Sequence, residues 1–123
     1  MKIKKKQKIK SYYFGIFAEF IAIIFLFCKG YKILKRRNKT FVGEIDIIAK
    51  KGNDLIITEV KARRKWHDQL AEEVLSDYQK FRIKRAAEAF LSMSKGRFNS
   101  CGVRFDLVII TPYKLPKHFI DFF

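Results

Sequence analysis

Residues 43–62 read GEIDIIAKKGNDLIITEVKA, and this stretch decides the fold. Two apolar runs of strand character flank Gly52-Asn53, a pair of residues that tolerates positive φ and marks a two-residue hairpin turn. Strands are therefore expected at about 43–50 and 54–62. With that turn, Asp46 lies directly opposite Glu59, and Glu44 opposite Lys61. Side chains alternate faces along a strand, so Glu44 and Asp46 share a face, as do Glu59 and Lys61. Opposed Cβ atoms stand roughly 4.5–5.5 Å apart. Two carboxylates held that close repel unless a cation lies between them or one is protonated. A hard divalent cation with oxygen ligands, Mg²⁺ or Mn²⁺, suits such a pair. The competing reading is a hairpin whose polar face is solvated and laced with Glu–Lys pairs.

The composition around the hairpin sets its context. The chain has 123 residues, 27 Lys and Arg against 12 acids, and a formal net charge of +15. Its hydrophobic fraction of 49% and its 13 Phe exclude a disordered chain, and the length suits one domain with a real core. The basic excess is the electrostatic footprint of a nucleic-acid binder, although a ribosome-associated or membrane-surface protein carries it too. Cys28 and Cys101 have neither metal-ligand spacing nor a disulfide framework, so reduced thiols in the cytoplasm are expected.

The amino terminus imitates a targeting signal. Six lysines fall within Met1–Lys10, and Tyr12–Cys28 is a run of 17 residues with one charge. Glu19 in the middle of that run opposes a membrane span. No small-residue cleavage site follows it. Gly15, Ala18 and Ala22 recur at helical spacing, giving a small-residue face for close approach. The expectation is a basic mobile tail over residues 1–10 and a single domain over 11–123, with no membrane partner.

A first helix is expected over residues 11–29, with Ser11 as N-cap and Gly30 as the stop. Tyr31–Arg37 reads as a strand and Asn38–Val42 as a turn. Arg63–Leu75 is polar and irregular, a mobile loop that orders on substrate. A second helix spans 77–94, with Phe81, Ala87, Phe90 and Leu91 as its apolar stripe. Val103–Thr111 is a strand of buried type, and His118–Phe123 an edge strand. The order α-β-β-β-α-β describes an α/β domain with a mixed sheet flanked by helices.

Several motifs run in this order: Gly15, Ala18-Glu19 and Ala22; Gly30-Tyr31, Leu34 and Arg37-Asn38; Gly43-Glu44-Ile45-Asp46 with Ile48-Ala49; Glu59-Val60-Lys61 and Arg63; Lys80, Ala86-Ala87 and Phe90-Leu91; Arg104-Phe105-Asp106. In this the chain resembles the bacterial YraN family, also called UPF0102, whose members are endonuclease-like. That family is similar in turn to the PD-(D/E)xK nuclease superfamily and to Holliday-junction resolvases. The resemblance implies a restriction-endonuclease-like core and a soluble protein. It also implies a Mg²⁺- or Mn²⁺-dependent endodeoxyribonuclease, a cytoplasmic hydrolase of DNA repair or recombination that is either structure-selective or non-specific toward DNA, and is compatible with a homodimer. The catalytic set it carries over is Glu19, Asp46, Glu59 and Lys61. Asp46, Glu59 and the Val60 carbonyl would be the metal ligands. Ile45 stands where the superfamily usually has a proline.

Arg63, Arg64 and Lys65, directly after the acid-x-Lys strand, are candidates for phosphates beside the scissile one. Lys80 and Lys84 on the following helix, with Arg85, are candidates for tracking the backbone. Glu44 and Gln79 are auxiliary candidates: Glu44 either tunes Lys61 or closes an ion pair, and Gln79 neighbours Lys80. Trp66 either stacks on an unpaired base or packs against the domain, with packing the more common use. Asp106 reads as structural, paired with an arginine. The alternative function is a nucleic-acid-binding protein that keeps the nuclease fold without significant catalysis.

Overall fold

Gly52 adopts φ +58° at the hairpin tip, and the pairing follows from it. A computed structural model describes residues 2–123. The elements are α1 (Lys2–Cys28), β1 (Lys32–Thr40), β2 (Gly43–Lys51), β3 (Asp54–Ala62), a 3₁₀ turn (Asp68–Leu70), α2 (Ala71–Val74), α3 (Asp77–Met93), β4 (Gly102–Ile110) and β5 (Lys117–Phe119). Lys51 pairs with Asp54 and Ile47 with Thr58, which is the register expected from the turn. Asn53 also ties the tip to the strand that arrives later. Its Nδ2 donates to the Ser100 carbonyl at 3.1 Å, and its own carbonyl accepts from Gly102 N at 3.0 Å.

The strands form one sheet in sequence order, β1-β2-β3-β4-β5. All neighbours are antiparallel except β3 and β4, which are parallel and joined through α2 and α3. Apolar side chains leave the sheet on both faces, so each face takes a helix. On one face Ala18, Ala22 and Leu26 of α1 meet Ile47, Ala49, Ile56, Val60, Val108 and Ile110. On the other, Ile83, Ala86, Ala87 and Phe90 of α3 meet Ile45, Ile48, Leu55, Ile57, Leu107 and Ile109. Small residues on the inner face of α1 let it lie close to the strands. This is the mixed α/β core, flanked by helices, of the restriction-endonuclease-like class.

The structure corrects several expectations. α1 begins at Lys2, so the basic segment continues the helix rather than preceding it, and Ser11 is an interior position. β1 runs on to Thr40, leaving Phe41-Val42 as the turn; Thr40 Oγ1 donates to the Gly43 carbonyl at 2.7 Å and closes it. Residues 63–75 are not a featureless loop. They hold the 3₁₀ turn and α2, and they bury Trp66, Ala71 and Leu75. Trp66 packs against Phe119 and donates to Asp68 Oδ1 at 2.9 Å, so it is a packing residue. Phe81 faces outward, 56% exposed, beneath the Arg85 guanidinium; Ile83 and Ala86 hold the stripe instead.

A charged knot pins β4 and β5 to the end of α1. Asp106 is fully buried and accepts from Arg104 Nε (2.9 Å) and a terminal Arg104 nitrogen (2.8 Å). It also accepts from Asp121 N at 2.9 Å and lies 2.8 Å from His118 Nε2. Lys29 Nζ, which can only donate, lies 2.7 Å from His118 Nδ1. The imidazole therefore accepts there and donates its Nε2 proton to Asp106. The same Arg104 nitrogen reaches the Tyr31 hydroxyl at 2.7 Å. The structural reading of Asp106 is thus borne out. Burial pushes its carboxyl up, but the contacts to His118, Arg104 and Asp121 N outweigh that and bring it down to about 2.

Candidate functional site

The sheet is interrupted on a line that crosses it at Asp46. In β1, Arg37 has φ +49°, a left-handed value rare for a residue with a Cβ, and it lies between the pairs Arg36–Ile47 and Asn38–Ile45. On the other side the β2–β3 ladder stops at Ile47–Thr58, one residue short of Asp46 and Glu59. Ile45 packs on the α3 side and Ile47 on the α1 side, although residues two apart in a regular strand share a face. β2 thus turns over at Asp46. The ladder bond lost there is replaced by a side chain: Val60 N donates to Asp46 Oδ2 at 2.8 Å. Backbone strain of this kind collects at functional sites, where the surrounding structure holds it in place.

This local distortion brings Asp46 and Glu59 together. Each carboxyl acts on the other's acidity: the contact lowers Asp46 and raises Glu59. Burial raises Asp46 to about 6, and the negative charge of Glu19 adds to the rise. Burial and then the Asp46 charge raise Glu59 to about 8. Lys61 opposes both shifts; its Nζ lies 3.5 Å from Glu59 Oε1. The two acids titrate as one unit that retains a proton near neutrality. Glu59 opens into a cavity of about 260 Å³ with Gly43, Glu44, Tyr78, Gln79, Arg82 and Ile83.

Two hard oxygen donors brought together in this way are a set that a divalent cation would suit. Among the described residues no group of three or more His, Cys, Asp or Glu converges to hold an ion. Mg²⁺ accepts such a sparse set, because it keeps several waters and commonly takes one or two carboxylates. Glu19 does not complete a triad: its Oε2 pairs with Arg37 Nε at 2.6 Å. Arg37 was not among the candidates from sequence, since its role depends on a contact 18 residues away in the chain.

The chain matches the model of the uncharacterised protein family UPF0102 over residues 18–110. The chain belongs to the UPF0102 family. A UPF0102 protein of Bartonella tribocorum is 44% identical over 121 residues, covering 98% of this chain and 91% of the relative. One of Bartonella henselae is 42% identical, covering 98% and 93%. One of Sinorhizobium medicae is 39% identical, covering 94% and 93%.

The other candidates of this UPF0102 protein fall in different places. Glu44 does not face Lys61, because the ladder has opened before it; it is exposed, pairs with Lys39 across β1–β2, and borders the cavity. Lys61 pairs with Glu59 instead. Gln79 borders the cavity while its Oε1 accepts from Ser76 N at 2.9 Å, half of the capping box that starts α3. Arg63, Arg64 and Lys65 lie beyond the end of β3, all three exposed. Lys80 lies over the Phe122 ring, and Lys84 over Phe105 and Phe123. Among the described residues no helix is long and apolar enough to cross a membrane.

The raised carboxyls give a testable pH dependence. Their native pKa values lie above those of the unfolded chain, so the folded state binds more protons and stability falls as pH rises. With chelator present, unfolding free energy should drop from about pH 5 to about pH 9 by on the order of 3 kcal/mol more in the parent than in Glu59→Gln. Urea titrations across that range measure it. Parallel slopes for the two proteins would remove the shared-proton description.

Proposed function

We propose that this UPF0102 protein is a Mg²⁺- or Mn²⁺-dependent nuclease that hydrolyses DNA phosphodiester bonds, structure-selective and acting in the cytoplasm in repair or recombination. The observation that carries this reading is the half-buried Asp46–Glu59 pair beside Lys61, two carboxyls both pushed toward their protonated forms. A divalent ion bound there would acidify a water molecule and offset charge on the phosphate. Asp46 and Glu59 would hold the ion, with the Val60 carbonyl as a third protein oxygen. Lys61 orients the attacking water and balances the negative charge that grows on the phosphate oxygens. Glu19, held by Arg37, adds negative potential next to Asp46 and keeps its carboxylate near the water. Arg63, Arg64, Lys65, Lys80 and Lys84 supply sequence-independent phosphate contacts, so binding weakens steeply with salt. A homodimer suits a two-fold symmetric DNA substrate.

One observation favours a second reading, a nucleic-acid-binding protein without significant turnover. Glu19, the third acid of the expected set, is engaged by Arg37, and among the described residues only two acids meet. A cleavage assay on single-stranded, duplex, flap and four-way DNA decides between the readings. The nuclease predicts cuts that need Mg²⁺ or Mn²⁺ and stop on chelation. Salt-sensitive binding of the same DNAs with no cleavage in either metal would establish the binder.

A further inference from the structure

We propose that the outer face of α1 docks on the surface of an anionic lipid bilayer. Tyr13, Phe17, Phe20, Ile24 and Phe27 follow one another at intervals of four and three residues along this helix. They are 65%, 61%, 53%, 51% and 69% exposed. At 100° per residue they form one narrow row, opposite the buried Ala18, Ala22 and Leu26. The row runs for about 21 Å and bares on the order of 500 Å² of apolar surface. That is at the upper end of what a monomer leaves in water, and such a patch marks a binding surface. No acid interrupts it, because Glu19 lies off the row and is held by Arg37.

The charge beside the row identifies the occupant. Toward the amino terminus the same line continues through Lys10 and Lys6, and Lys5, Lys6, Lys8 and Lys10 are all exposed. The face therefore asks for an apolar layer bordered by negative charge. Anionic lipid meets both needs: the rings enter the boundary between headgroups and acyl chains while the lysines stay at the phosphates. A second copy meets only the first, since it brings the same lysines and no acid on this row. Duplex DNA meets only the second and leaves the aromatic row in water. The sheet backs α1 from Ala18 to Leu26, which presents the row as a ridge that can lie flat on a membrane. The Glu59 cavity borders α3, on the opposite face of the sheet, so docking leaves it open. The absence of a membrane partner expected from sequence rested on rejecting a span, and a surface contact needs none.

The test is sedimentation of the full chain with phosphatidylcholine vesicles, with and without phosphatidylglycerol. The protein should sediment with the anionic vesicles and not with the neutral ones. Phe17→Ser with Phe20→Ser should weaken that binding by at least about tenfold, with the circular dichroism of the parent retained. A second variant, Phe20→Trp, keeps the row apolar. Its emission should shift to the blue on anionic vesicles and be quenched by brominated acyl chains, while the parent, with Trp66 alone, is unchanged. Undiminished sedimentation of the serine variant would reduce the contact to adsorption by lysines and overturn the proposal. A concentration-dependent dimer lost in that variant would assign the row to a second copy. Emission from the introduced indole that answers to DNA and not to vesicles would assign it to nucleic acid.

Discussion

Asp46→Asn should abolish metal-dependent cleavage, a loss of about 10²–10³-fold or more, while DNA binding stays close to that of the parent. Asp46 has two tasks in the structure: it contributes one of the two clustered carboxylates, and it accepts the Val60 amide that the opened ladder leaves free. Asparagine can still accept that hydrogen bond but brings no charge, so folding and ion binding are separated. Asp46→Ala loses both functions and should also cost about 1–3 kcal/mol of stability for the unsatisfied amide. Lys61→Ala should be equally inactive through another route. It removes the cation 3.5 Å from Glu59 Oε1, leaving the acid pair more firmly protonated and harder to load with metal. Binding persists in all three because the chain's charge of +15 is spread over the surface. Single-turnover cleavage alongside filter binding would measure both quantities. Residual cleavage equal to that of the parent would mean a contaminating nuclease and would end the catalytic assignment.

Asp106→Ala should lower the unfolding free energy by about 3–5 kcal/mol, a large share of the stability of a domain this size. Four donors end on this buried carboxylate: two from Arg104, the backbone amide of Asp121 and the ring of His118. Alanine leaves them facing an apolar space with no acceptor, and truncating one partner of a buried charged pair costs far more than the pair contributes net. Urea midpoints should fall with little change in slope, as for a loss of native stability alone. A cost under about 1 kcal/mol would mean that water replaces the carboxylate and that the knot is a surface ion pair.

What the sequence revealed divides by the range of the interaction. The hairpin register was legible because it depends on Gly52-Asn53 and on alternation within nine-residue strands, all of it local. α3 was legible for the same reason: Ser76 and Gln79 cap it and the stripe repeats within it, although outward Phe81 shows that hydrophobicity does not say which side is covered. The start of α1 was obscured by its lysines, which suit a solvated helix as well as a tail. The site was legible in composition and partly wrong in geometry. Alternation placed Glu44 against Lys61, but the sheet opens at Asp46, and no local signal announces a left-handed Arg37 in a neighbouring strand. Arg37 with Glu19, and His118 with Asp106, were out of reach because each pair meets only after the layers close.

The parallel pairing of β3 with β4 also governs when the sheet that carries the site is completed. Every pair in that ladder joins residues 48 positions apart, from Asp54–Gly102 to Ala62–Ile110, whereas the hairpin that carries Asp46 and Glu59 closes across Gly52-Asn53 alone. Loop-closure entropy makes the short contact early and the long one late. On the ribosome, β3 is a bare sheet edge until Ile110 has left the exit tunnel. The hairpin that carries the candidate site thus forms long before its sheet is complete, and a chain stopped before β4 would carry Glu19, Asp46, Glu59 and Lys61 beside an unpaired strand edge.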